Sequence, residues 1–161
     1  MSKKEYARYM SSVQLYLLKK NNNKIFTLLQ QRSKNSWAPL QWEAGACGHV
    51  DHGESPTDAI IHEAKEEIDI KILKKDLKFI SLVYKDVSKT KDKKEHAFYN
   101  SSFCCYKWIG VPKIKEHDKT IDLKWFDINK LPKNIIPDRK ISIENMKKNI
   151  TYCEYVSLNK K

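Results

Sequence analysis

The stretch GHVDHGESPTDAIIHEAKEEIDI, residues 48–70, carries the clearest structural signal in the chain. It opens on a tight turn, Asp51-His52-Gly53, and passes into a helix. Ser55 stands as the N-cap, with Pro56 at the first helical position, where its missing N–H costs nothing. Asp58 occupies the place where a capping box carries Glu or Gln, and its shorter carboxylate serves similarly. The helix is predicted to run to about Ile68, with Ile61, Ala64 and Ile68 as its apolar stripe. Asp69 follows where a left-handed residue is common, a conformation that Asp tolerates better than most.

On this helix Glu63, Glu66 and Glu67 stand at i, i+3 and i+4, which puts three carboxylates on one face, apart from the apolar stripe. Like charges at that spacing destabilise a helix by roughly some tenths of a kcal/mol per pair. Such a cluster invites a cation, and magnesium takes hard oxygen ligands. Three acids alone read more readily as a solvated surface. The residues before them shift the balance: Gly48 lies six positions before Glu54, and Glu54 nine before Glu63.

In this spacing the chain resembles the Nudix superfamily, whose box reads G-x5-E-x7-R-E-U-x-E-E-x-G-U. Gly48, Glu54, His62, Glu63, Ala64, Glu66, Glu67, Asp69 and Ile70 fill it here. The resemblance implies an α+β fold, a Nudix-type α/β/α sandwich with a mixed β-sheet, as one domain over residues 1–161. It implies a loop–helix–loop that holds Mg2+, with Mn2+ as an alternative, against a pyrophosphate. Glu63, Glu66 and Glu67 are the implied metal ligands, and Cys47 is implied to offer its backbone carbonyl rather than its thiol. Gly48, Glu54 and His62 take supporting places. Two positions depart from the box: His62 replaces an arginine that pairs with the box glutamates, and Asp69 replaces a glycine. Neither removes an implied ligand.

The chemistry follows from the charge of a pyrophosphate, which repels nucleophiles. Metal ions neutralise its oxygens and acidify bound water, and a carboxylate takes the proton. The family places that base within the box or in a later loop, so Glu66, Glu67 and Glu116 are the candidates. Glu116 opens a segment, residues 116–126 continuing into Leu131-Pro132, that resembles a loop–strand–LP pattern of small Nudix enzymes. A plain loop charge is an equal reading of Glu116. Arg32 is a candidate to hold a phosphate bidentately and Trp37 to bind substrate. Trp42, Phe98 and Tyr99 are further stacking candidates, although aromatics in strands more often fill cores.

The substrate implied is a nucleoside diphosphate linked to another group, with a nucleoside triphosphate, ordinary or oxidised as in 8-oxo-dGTP, favoured by the chain's small size. ADP-sugars and dinucleoside polyphosphates are alternatives. Residues 42–49, with Cys47-Gly48-His49, also resemble isopentenyl-diphosphate isomerases, although no histidine precedes His49. A non-catalytic nucleotide- or RNA-binding domain is a further alternative.

Outward from the box, residues 12–18 and 25–29 read as a hairpin around Asn21-Asn22-Asn23. Residues 33–41 read as a loop and 42–50 as extended chain. Residues 77–84, 96–108 and 123–126 read as strands, 85–94 as a lysine-rich loop and 141–150 as a closing helix. The net charge of +11 is mostly lysine, the arginines being Arg8, Arg32 and Arg139. It favours anionic ligands at long range but supplies no dedicated nucleic-acid site. No CxxC pair joins Cys47, Cys104, Cys105 and Cys153, so reduced thiols in a cytoplasmic protein are expected. No apolar run reaches the roughly 18 residues that suggest a membrane span. No secretory signal is expected, because residues 1–10 are polar and charged. A homodimer is compatible with the sequence.

Overall fold

Alternating side chains along the first strand, β1 (Met10–Asn21), set up two separate cores. Val13, Leu15 and Leu17 point into one, and Tyr16 and Leu18 into the other. The computed structural model describes residues 9–89 and 95–156. After β1 the chain reverses at Asn22-Asn23, both at positive φ (45° and 61°), the conformation that two-residue hairpins favour. It returns as β2 (Lys24–Arg32), so the expected hairpin is present with longer arms.

Two short strands, β3 (Trp42–Ala44) and β4 (Ala46–His49), lead to the helix α1 (Pro56–Ile68). Then come β5 (Leu77–Lys89), β6 (Glu95–Cys105), β7 (Thr120–Asp127), α2 (Pro137–Lys148) and β8 (Tyr152–Tyr155). The sheet order is β3-β2-β1-β6-β5-β8, with β4 pairing β1 and β7 pairing β2. β1 with β6 and β5 with β8 are parallel and the remaining pairs antiparallel, so the sheet is mixed. The α1 residues Ala59, Ile60, Ala64 and Ile68 close one core and Ile143 of α2 enters the other. This is the α/β/α sandwich expected from the box.

β1 forks along the edge away from β6. Residues 12–15 pair with β4, whereas residues 18–21 pair with β2. Gly45 sits at the fork and donates its N–H to the Leu15 carbonyl at 2.9 Å. A Cβ there would lie 3.1 Å from the Leu28 carbonyl oxygen, so the Leu28 backbone would have to give by a few tenths of an ångström. The fork opens a split between β4 and β2, and the box helix faces it.

Ser55 caps α1 as expected: its hydroxyl accepts from Asp58 N–H at 3.2 Å and donates to the Asp58 carboxylate at 2.6 Å. Asp69 ends the helix in the left-handed region, φ 54°. Four expectations change. Ile60, not Ile61, is the fully buried isoleucine, because the helix rests on the sheet through the i, i+4 row Ile60, Ala64, Ile68. Residues 85–89 belong to β5, since pairing with β6 outweighs the low strand propensity of lysine. The rest of the expected lysine loop, residues 90–94, lies outside the described residues. α2 begins at Pro137, four residues before the predicted start, with proline again in a first helical turn. β8 was not predicted; four residues are too few for a periodic signal.

Cys104 and Cys105 face opposite cores, and all four cysteines are free. Among the described residues no helix is long and apolar enough to cross a membrane.

Candidate functional site

Glu67 lies where the split in the sheet meets α1. Its Oε2 accepts from the Cys47 N–H of β4 at 2.8 Å and from Gln30 Nε2 of β2 at 3.1 Å. Thr120 in turn donates to Gln30 Oε1 at 2.6 Å, which fixes the amide. One carboxylate thereby joins the two strands that β1 separates. Burial, with help from Glu43 and Glu63, outweighs these hydrogen bonds and pushes the Glu67 pKa up to about 8.

Glu63, one turn earlier, lies against Gly48. A Cβ on Gly48 would stand 1.7 Å from Glu63 Oε1, so the glycine is the space that the carboxylate occupies. Burial and then the neighbouring Glu66 and Glu116 carboxylates push the Glu63 pKa up to about 7. Glu66 is exposed on the same face. Glu116 reaches this group because its loop is tied to the end of α1. Lys115 N–H donates to the Glu67 carbonyl at 3.0 Å and Lys113 N–H to the Ile68 carbonyl at 3.1 Å. Lys119 Nζ holds the Glu116 carboxylate at 2.7 Å.

Asp69, the departure from the box glycine, strengthens the same tie. Its carboxylate meets Lys65 at 2.6 Å and Lys113 at 3.0 Å, and these hydrogen bonds pull its pKa down to about 2. The side chain that breaks the consensus therefore clamps the loop bearing Glu116.

Among the described residues no three His, Cys, Asp or Glu side chains are drawn together tightly enough to enclose a metal ion. The donors nevertheless fit a hard divalent cation. Glu63 and Glu67 are partly buried carboxylates that repel their neighbours, and a cation relieves both penalties. The missing Cβ at Gly48 keeps the approach open.

His62 and Glu54 form a pair at the edge of this group: His62 Nδ1 lies 2.5 Å from Glu54 Oε1, and Asp51 N–H donates to Glu54 Oε2 at 3.4 Å. The histidine thus engages a box carboxylate, the one at the turn rather than those on the helix. Arginine in its place keeps the pair with a permanent charge. His62→Arg is expected to retain or raise turnover at saturating magnesium, and His62→Ala to lower it. Turnover crippled by arginine but untouched by alanine would show that the pair has no such role.

The remaining candidates lie outside this group of carboxylates. Arg32 ends β2 as expected, but its Nη1 pairs with Glu43, so in this structure it is held within the protein. Trp37 is 56% exposed on the loop of residues 33–41. Trp42 is core, packed edge-on against Phe126 at 4.8 Å, and is not available to stack a ligand. Phe98 leans on His49, and Tyr99 on Tyr9 and Tyr84. Cys47 is half-buried and its thiol donates to Glu43 Oε2 at 3.1 Å; burial, with Glu43 and Glu67 nearby, pushes its pKa well up.

Sequence reasoning passed over Gln30, Glu43, Asn100, Asp138 and Arg139. Glu43 receives both Arg32 and Arg139, and Asp138 pairs with Arg139 and accepts from Asn100 Nδ2 at 3.0 Å. One signal was present: Glu43 is a lone charge inside a run of small and apolar residues.

The sequence profile described as NUDIX domain matches residues 8–146. No curated protein matches the sequence. Among solved structures, a MutT NUDIX hydrolase from Burkholderia pseudomallei superposes with TM-score 0.70 at 19% identity, over 86% of this chain and 98% of that one. The NUDIX domain of Shewanella oneidensis NrtR, complexed with ADP ribose, gives TM-score 0.68 at 16% identity, over 91% of each chain. A C. elegans Ap4A hydrolase gives 0.63 at 20% identity, over 88% of this chain and 97% of that one.

Proposed function

The chain belongs to the Nudix hydrolase family, and from that premise we propose that it hydrolyses a pyrophosphate bond in a nucleoside diphosphate-linked substrate, a nucleoside triphosphate, with Mg2+ as cofactor. The observation that carries the reading is the convergence of Glu63, Glu67 and Glu116 beside Cys47 and Gly48, with two of these carboxylates carrying raised proton affinity. Glu63, Glu66, Glu67 and the Cys47 carbonyl are the ligands in this proposal. When bound, a divalent ion supplies neutralisation of the pyrophosphate oxygens and acidification of water. Glu66, Glu67 or Glu116 accepts the proton of the attacking water. Gln30 and the Cys47 N–H orient Glu67, and Lys119 orients Glu116. The excess of positive charge draws the anionic substrate in.

The Cys47 thiol, engaged with Glu43 and with its pKa pushed up, supports this hydrolase over a cysteine-dependent isomerase. Four free thiols suit a single-domain protein of the cytoplasm.

Phosphate or pyrophosphate release is to be followed across nucleoside triphosphates, 8-oxo-dGTP, ADP-ribose and dinucleoside polyphosphates, with and without magnesium. Turnover is expected for a triphosphate, lost on chelation and largely retained in Cys47→Ala. A folded Cys47→Ala protein without activity, or no magnesium-dependent release from any compound, would overturn the reading.

A further inference from the structure

We propose that the α2 side of the sheet carries a seat for an amino-bearing nucleobase, with the Trp37 ring as its platform and the Asp138 carboxylate as the group that reads it. The proposal rests on the nucleotide reading above and adds which part of the nucleotide is recognised, and where.

The Trp37 ring is exposed and two cations lie near it, the Arg32 guanidinium at 5.4 Å and the Lys85 ammonium at 5.3 Å from its centroid. A ring that attracts cations also accepts a flat heteroaromatic. Lys85 bridges this platform to a buried acceptor: its ammonium lies 3.5 Å from Asp138 Oδ1. Asp138 is fully buried, and its Oδ2 is taken by Asn100 and Arg139. Among the described residues Oδ1 has no hydrogen-bond donor, only the Lys85 ion pair, an uncommon state for a buried polar atom. Burial alone would raise the Asp138 pKa, but Arg139 and Lys85 outweigh it and hold it below the usual carboxylate range. An ionised carboxylate only accepts hydrogen bonds, so whatever it reads presents N–H groups.

Lys85 therefore stands where a ligand's amino group would go, a nitrogen donor against Asp138 and a positive group against Trp37. Its side chain is long and partly exposed, 19%, and can swing out without repacking the core. Three buried donors of the same network, Arg32 Nε, Arg139 Nε and Gln14 Nε2, also lack acceptors among the described residues. A chain of contacts joins the seat to the carboxylate site. Arg32 pairs with Glu43, Glu43 accepts from the Cys47 thiol, and the Cys47 N–H holds Glu67.

Calorimetry in EDTA with nucleoside monophosphates tests the seat without metal or hydrolysis. CMP is compared with UMP, AMP with purine riboside monophosphate, and GMP with IMP. At least one amino-bearing member is expected to bind about tenfold or more tightly than its partner, the scale of a lost buried hydrogen bond. Asp138→Asn is expected to erase that preference, Trp37→Ala to weaken both members, and Lys85→Met to tighten the preferred one. Equal binding within every pair overturns the proposal, as does a preference that survives in folded Asp138→Asn. If Asp138→Asn does not fold, unchanged affinities in both Trp37→Ala and Lys85→Met overturn it. Binding with this pattern but no hydrolysis would remove the enzyme reading and leave the seat standing; hydrolysis without the pattern would do the reverse.

Discussion

Glu67→Gln is expected to lower turnover at saturating magnesium by about 10²-fold or more, the scale of losing a main electrostatic stabiliser, and to make the metal-free protein more heat-stable. Glutamine keeps the shape and an oxygen that can accept from Cys47 N–H and Gln30 Nε2, so the tie across the split survives. What disappears is a charge that burial and the carboxylates of Glu43 and Glu63 disfavour. In EDTA the melting temperature of this variant is expected to rise by about 5 °C. Glu66→Gln separates the two effects. Glu66 is exposed, so its loss is expected to slow turnover on the same scale and leave melting nearly unchanged. Turnover near wild type in both variants would remove the assignment of these carboxylates as metal ligands.

The second large effect is on the pH dependence of stability. Glu63 and Glu67 titrate at about 7 and about 8 in the folded protein, against an ordinary 4.5. Between those limits the folded chain keeps protons that the unfolded chain has released. The stability these groups contribute is complete below about 4.5 and disappears as pH rises through 7 and 8. Asp58 and Asp69 shift downwards and do not compete in this window. The melting temperature in EDTA is expected to fall by about 5–10 °C between roughly pH 5.5 and pH 9. If these carboxylates are the metal ligands proposed above, added magnesium is expected to flatten the fall. A melting temperature constant or rising across this range in EDTA would contradict the burial of these charges.

The helical part of the site was legible because its information is local. Ser55, Pro56 and Asp58 start the helix, the 3.6-residue period sets its faces, and three glutamates at i, i+3 and i+4 need no tertiary knowledge to be grouped. Locality also explains the slip at Ile61: either isoleucine completes an apolar stripe, and only the sheet beneath decides which is covered. The polar network on the other face was not legible. Gln14, Glu43, Asn100 and Asp138 come from β1, β3, β6 and α2, and no spacing links them. Residues 85–89 were misread for a related reason. Composition suggested a solvated tip, whereas strand pairing with β6 supplies the register that lysines do not encode.

The fork in β1 bears on how this protein can diversify. Because one strand carries both halves of the split, Cys47 and Gln30 are held at a fixed separation by backbone pairing rather than by loop sequence. The loop of residues 33–41 lies outside that frame, so exchanges there leave the carboxylates in place, whereas residues 113–119 are tied to the end of α1 and carry Glu116. Gly45 is the opposite case: a side chain there meets the Leu28 backbone at close range, and that backbone would have to give. Mutational tolerance should therefore be graded, permissive at the loop of residues 33–41 and lower at the fork. Such a gradient lets one hydrolytic frame acquire new substrates by drift in its rims.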